Sequence, residues 1–298
     1  MKLKLFLTAA AVFLALYPPC AASEIGLYAE EYQEIMGWGG FPSYARSDWS
    51  ADGKFAPPVH RPGVYDALFR DSGLTIYRID YQPRFYNGVL DDGTLNTNAI
   101  DDVMTVVETA RDYGVTDYLV SIWTPPSAMK SIVSKVSGHM NDALVKGYDG
   151  VNYKSGLLAD REPDFIRYVC DVTAYIDSLG LPLPTYISLQ NEPTHAIDYD
   201  SCFYTSEQYI RVLKNLRTAL DARGFGGVKL IAGEGNNFDY NDSLFQQTYQ
   251  KIHLNDTLNN AIDTIAVHAY AQDTYAWNRN TFARDVFRTF DKPLMQSE

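Results

Sequence analysis

Cysteine is scarce in this sequence: three occur in 298 residues. Cys20 falls in an N-terminal leader, so only Cys170 and Cys202 are left for a folded domain, and a disulfide-stapled scaffold is excluded. Cys170 lies on a predicted helix and reads as a small buried hydrophobe, with pairing to Cys202 the lesser alternative. The five histidines, His60, His139, His195, His253 and His268, are scattered and make no short His/Cys ligand spacing. No catalytic metal and no cofactor is expected. Basic clusters are missing too: 25 Lys and Arg stand against 37 Asp and Glu, a formal net charge of −12. Nucleic acid is therefore a poor partner, because phosphate binding needs a positive footprint. No Gly-x-Ser-x-Gly elbow is present, which disfavours a serine hydrolase. Gly37-Trp38-Gly39-Gly40 and Gly224-Phe225-Gly226-Gly227 do not open helices as a phosphate-binding turn would, and both read as turns.

Long apolar runs are confined to the start of the chain. Met1-Lys2-Leu3-Lys4 is basic, Leu5 to Leu16 is apolar, and Pro18-Pro19-Cys20-Ala21-Ala22-Ser23 supplies small residues for cleavage. The run is shorter than the roughly 20 residues that span a bilayer, so it reads as a secretory signal over residues 1–23. A lipid anchor through Cys20 is disfavoured by Pro18 and Pro19. The mature protein is expected to be soluble, monomeric, off the membrane, and secreted or periplasmic.

Beyond the leader, strand-like and helix-like runs alternate. The predicted strands are Glu34–Trp38, Leu74–Asp80, Thr116–Trp123, Thr185–Gln190, Val228–Gly233, Ile262–His268 and Lys292–Ser297. The predicted helices are Pro62–Asp71, Asn98–Tyr113, Pro163–Leu179, Ser206–Ala222, Asn241–His253 and Thr281–Phe290. Alternation of this kind belongs to parallel βαβ units. The expected fold class is α/β, a (β/α)8 barrel with about seven of its eight units, and a doubly wound open sheet is the competitor. Ile25–Gln33 reads as a short extra strand, and Lys130 to Asp160 as a long insertion rich in Gly, Ser, Asn and Asp, of the kind that carries function.

Two carboxylates stand at predicted strand ends, far apart in sequence: Glu192 in Gln190-Asn191-Glu192-Pro193, and Glu298 in Met295-Gln296-Ser297-Glu298. Two acids gripping one glycosidic bond are what sugar hydrolysis requires, and rigid strands hold their spacing better than loops. The plainer alternative for Glu192 is a helix cap, and for His268 a satisfied core histidine. Aromatics gather at strand ends: Trp38, Tyr44, Trp49, Tyr81, Phe85, Tyr86, Trp123, Phe203, Tyr204, Tyr270 and Trp277. Rings of this kind stack on the apolar faces of pyranoses, so the expected partner is a polysaccharide or oligosaccharide.

Gly37-Trp38-Gly39-Gly40-Phe41, Ser121-Ile122-Trp123-Thr124-Pro125-Pro126-Ser127-Ala128-Met129-Lys130, Gln190-Asn191-Glu192-Pro193, His268-Ala269-Tyr270 and Met295-Gln296-Ser297-Glu298 resemble the successive motifs of glycoside hydrolase family 30. The likeness runs from about residue 30 to the end of the chain. It implies a retaining mechanism with Glu192 as acid/base and Glu298 as nucleophile. It further implies Arg78 near the nucleophile, Asn191 and Trp123 lining the sugar, and Tyr270 orienting Glu298, with Tyr204 and His268 also placed in the substrate site. Family members carry a side β-sandwich, to which residues 24–33 would give a strand, with 34–298 forming the barrel. The family pattern continues past its nucleophile whereas this chain stops there, so the expectation is a C-terminally truncated and inactive piece of such an enzyme. The first guess for the substrate is xylan. A β-1,6-galactan, a β-1,6-glucan and exo-action remain open, as does a carbohydrate-binding protein without turnover.

Overall fold

A computed structural model describes residues 37, 39–40, 62–81, 88–90, 92–130, 155–194, 201–235, 256–268 and 292–297, all within the compact unit Gly37–Glu298. Among the described residues seven strands form one sheet: β1 (Gly39–Gly40), β2 (Ile76–Ile79), β3 (Asp117–Ser121), β4 (Tyr186–Ser188), β5 (Lys229–Gly235), β6 (Thr264–Val267) and β7 (Leu294–Gln296). All six pairings are parallel and the spatial order is the order along the chain. A doubly wound sheet reverses its order at a switch point, so this sequential order selects the barrel-type α/β architecture.

Parallel neighbours need crossovers, and helices supply them. They are α1 (Pro62–Tyr65, continuing as a π-helical turn over Asp66–Asp71), α2 (Asp101–Asp112), α3 (Glu162–Ser178), α4 (Ser206–Ala222) and α5 (Asp256–Asn259). In α3 the residues Phe165, Ile166, Val169, Cys170, Val172, Thr173 and Ile176 recur at helical spacing and are buried. In α4 the same role falls to Tyr209, Val212, Leu213, Leu216 and Leu220.

Strands β2 to β6 are buried over most of their length, on both faces. Tyr77, Ile79, Tyr118, Val120, Ile187, Leu189, Leu230, Ala232, Ile265 and Val267 join the helices in the main core. The alternate positions Ile76, Leu119, Tyr186, Ile231, Ala266 and Met295 form a second, separate cluster. That inner cluster draws from six of the strands, β2 to β7. Side chains meet across that face: Arg78 on β2 lies 3.2 Å from Glu234 on β5, three strands away. The sheet is curled with its inner face concave.

Three helices end alike. The N–H groups of Gly114, Gly180 and Gly224 bond the carbonyls of Arg111, Asp177 and Asp221, and those of Val115, Leu181 and Phe225 bond the carbonyls of Ala110, Ile176 and Leu220. Each glycine has positive φ, so each helix closes in a Schellman turn whose next residue is apolar and leads toward the following strand.

The first strand departs from expectation. The sequence pattern predicts it over Glu34–Trp38, and it is found at Gly39–Gly40, inside a run that reads as a turn. The reason is close approach: a Cβ on Gly39 would meet Ile76 Cγ2 at 3.1 Å, and one on Gly40 would meet Leu74 Cδ1 at 3.0 Å. The helix predicted from Asn98 opens as a 3-10 turn over Thr97–Ala99. Of the long insertion, the described ends are tied down by bridges from Lys130 to Leu157 and from Gly156 to Phe203. Cys170 and Cys202 are free and buried, and burial pushes the Cys170 thiol up to about 11. Among the described residues no helix is long and apolar enough to cross a membrane. The leader, Ile25–Gln33 and the helices predicted over Asn241–His253 and Thr281–Phe290 lie outside the described residues.

Gly224 has φ +85°, and an added Cβ would meet nothing within 4 Å. The Gly224→Ala substitution therefore carries only a backbone cost, about 1 kcal/mol, and should lower the urea midpoint. Gly227, also without a neighbour within 4 Å but outside the positive-φ region, is the control whose Ala variant should leave the midpoint in place.

Candidate active site

Two residues beyond the inner apolar layer, the same face turns polar. Arg78 follows Ile76 on β2, Ser121 follows Leu119 on β3, and His268 follows Ala266 just past β6, all of them buried. Arg78 Nη2 lies 2.8 Å from Ser121 Oγ, 2.6 Å from Asn191 Oδ1 and 3.2 Å from Glu234 Oε1. Because the arginine only donates, it fixes the oxygen of the Asn191 amide toward itself and turns the NH2 group away. His268 Nδ1 lies 3.0 Å from Glu192 Oε1, and its Nε2 is 3.9 Å from Glu234 Oε1, an ion-pair distance rather than a hydrogen bond.

Glu234 reaches this cluster through a bulge. On β5, Ile231 faces inward and Leu230 and Ala232 face the helices, so plain alternation would send Glu234 outward. The register shifts between Gly233 and Gly235 against β6, and Glu234 itself has φ 54°. An extra residue in a left-handed conformation re-aims its side chain, and here it swings the carboxylate to the inner face. Burial alone would raise its pKa, but Arg78, His268 and the hydroxyl of Ser121, which donates to Oε2, outweigh it. The carboxyl is held well below the usual range.

Glu192 is the other residue with positive φ that is not a glycine, at 48° among the described residues. Its N–H donates to the carbonyl of Glu234 at 3.0 Å, and the preceding Asn191 N–H donates to Ile122 at 2.7 Å. Left-handed backbone costs an L-residue about 1–2 kcal/mol, and such strain collects at functional sites. Glu192 does not cap the next helix: that position is Thr205, whose side chain accepts from Gln208. Nor is His268 a plain core histidine, since it bridges two carboxylates. Burial of its ring pulls the pKa down, yet the hydrogen bond to Glu192 and the charge of Glu234 push it up to about 9.

The expected residues do not all converge. Arg78, Asn191, Glu192 and His268 form one bonded cluster. Trp123 borders it, half-buried: its carbonyl accepts from Gln190 Nε2 at 2.7 Å, and its N–H lies 3.5 Å from Asp80 Oδ1. Tyr204 is fully buried in the helix-facing core, edge-on to Tyr209 at 6.0 Å between ring centroids, a packing position. Glu298 and Tyr270 lie outside the described residues. Sequence reasoning missed Glu234, Ser121 and Asp80. Glu234 carried a usable signal, an acid between two glycines at a predicted strand end. Lys130, at the end of the Pro-Pro motif, is buried and donates to Thr124 Oγ1 at 3.0 Å and to the Ser201 carbonyl, which ties the motif to the segment after β4. No grouping that would hold a metal ion occurs among the described residues.

Solved structures with this arrangement of strands and helices include glycan-cleaving enzymes. One is a glycoside hydrolase family 30 subfamily 8 xylanase from Clostridium acetobutylicum, 23% identical over 80% of this chain and 51% of its own, with a TM-score of 0.58. The endo-β-1,6-glucanase BT3312 is 18% identical over 90% and 58%, at 0.66. SrfJ from Salmonella typhimurium is 16% identical over 89% and 58%, also at 0.66. The chain shares their fold. It spans 51% to 58% of the length of these three proteins. No family model matches the sequence, and no curated protein matches it.

The raised pKa of His268 has a consequence for stability. A group that binds its proton more tightly when folded stabilises below its unfolded pKa and loses that contribution as pH rises through the folded value. The melting temperature should therefore fall as pH goes from about 6.5 through about 9. A His268→Gln variant, melted over the same pH series, should lack that part of the decline.

Proposed function

We propose that the protein is a retaining glycoside hydrolase with Glu192 as its acid/base, acting on a polysaccharide outside the cytoplasm. The observation that carries the reading is the buried Glu192 on a strained strand end, hydrogen-bonded to His268 and flanked by Asn191, whose amide is oriented by Arg78. Such a carboxyl is pre-positioned to give a proton to a leaving glycosidic oxygen and to take one from water in the second step. The neighbouring NH2 of Asn191, turned from the arginine, is available in orientation to bond a sugar hydroxyl.

Retention needs a second carboxylate as nucleophile, roughly 5 to 5.5 Å from the first. Glu234 does not suit that role, because its two oxygens are engaged by Arg78 and Ser121 and it is 0% exposed. The role passes to Glu298, directly after the Ser297 whose N–H bonds Val267 beside the same strand ends. The position of Arg78, bonded to Asn191 and Glu234, supports a part in organising the acid side of the site. Export rests on the leader over residues 1–23. For the substrate, xylan remains the first choice and a β-1,6-glucan the second, matching what two of the structurally similar proteins cleave.

The deciding test is Glu192→Gln. An amide can accept but cannot donate the needed proton, so cleavage of oligosaccharides should vanish while binding persists. Aryl glycosides with good leaving groups should still form the glycosyl-enzyme and then stall. Equal loss on both substrate types, or none on either, removes Glu192 from this role.

Trp123 tests the sugar-binding edge. Its main chain is bonded to Asp80 and Gln190 at the border of the cluster, and Trp123→Ala should cost about tenfold in kcat/KM on an oligosaccharide, about 1.4 kcal/mol. A lowered melting temperature with unchanged kinetics would instead make it a packing residue.

A further inference from the structure

The cluster contains a second glutamate, Glu234, that the hydrolytic scheme does not use. Glu234 contacts both side chains that organise the acid: Arg78, which bonds Asn191, and His268, which bonds Glu192. Its main-chain carbonyl also accepts the N–H of Glu192 at 3.0 Å. Side chain and backbone of one bulged residue thus hold the acid segment from two directions. The side chain is 0% exposed and its two oxygens are engaged, so it does not contact substrate itself.

We infer that Glu234 is a positioning residue, which fixes Glu192 through His268 and Asn191 through Arg78 and so sets the geometry of proton delivery. The inference rests on the hydrolase reading for its effect on turnover but not for its effect on His268. Three features of the fold support it. The bulge between Gly233 and Gly235 serves to turn this one side chain inward. Glu234 keeps a strained φ although a glycine would relieve it. Finally, Arg78 and His268 would bring two cations into a buried site beside Glu192, and Glu234 is the fixed counter-charge that makes their placement tolerable.

The test compares Glu234→Gln, nearly isosteric but uncharged, with the parent protein. Two measurements are made on each folded protein. One is the titration of the His268 ring by NMR, the signal being assigned by its loss in His268→Gln. Among the described residues, the charged groups acting on that ring include Glu192 from the end of β4, Glu234 from β5 and Arg78 from β2. Loss of the Glu234 charge should move the titration to lower pH. The other is steady-state kinetics on an oligosaccharide, where kcat should fall by at least about tenfold with KM changed by less than about twofold, as expected for lost transition-state positioning. The basic limb of the pH–rate profile should shift with the ring.

An unchanged His268 titration together with unchanged kcat in folded Glu234→Gln overturns the inference. Should that variant fail to fold, Ser121→Ala removes the hydroxyl that donates to Oε2 while keeping the charge; a lowered kcat then supports the inference, and an unchanged kcat with an unchanged His268 signal overturns it. A parent protein that neither cleaves nor binds a glycan overturns the hydrolase reading alone, since the ring titration still decides whether Glu234 governs His268.

Discussion

The buried ion pair between Arg78 and Glu234 is the contact on which the rest of the site depends. It joins β2 to β5 across the concave face. Burying two charges costs several kcal/mol each unless attraction and hydrogen bonds offset it. Here Ser121 and Asn191 share the arginine and Ser121 also donates to Glu234. Such a cluster does not tolerate loss of one member, because the partner is left charged in a dry interior.

The arrangement separates two carboxylates by environment. Glu234 is locked in its ionised form by fixed cations and a hydroxyl. Glu192, one strand away and bonded to His268, sits beside that lock without being part of the Arg78 pair. Retaining hydrolysis asks its acid/base to change protonation within each cycle, whereas a counter-ion must not. In the proposed scheme, a permanently charged Glu234 behind Glu192 would let the site hold Arg78 and the His268 cation close to the acid.

Much of the fold was legible in the sequence. Strand and helix periodicity gave the βα order, and the Ser206–Ala222 helix was found with its predicted bounds. Glycines after three helices, followed by Val115, Leu181 and Phe225, are a local signal because no other residue adopts positive φ at so little cost. Less legible was the first strand, where Gly39 and Gly40 looked like a turn; side chains of Leu74 and Ile76, distant in sequence, leave little room for a Cβ there. Tyr204 was expected at the sugar and packs into the core, since aromatic character does not distinguish the two faces of a wall.

By itself the sequence determined the alternation of elements, their closing turns and the strand-end position of Glu192, all of which depend on neighbours within a few residues. Tertiary structure decided which charges meet. Plain alternation along β5 points Glu234 toward the helices; only the slipped register against β6 turns it inward. Its meeting with Arg78, 156 positions away, follows from curvature summed over four strands, and no local pattern encodes that.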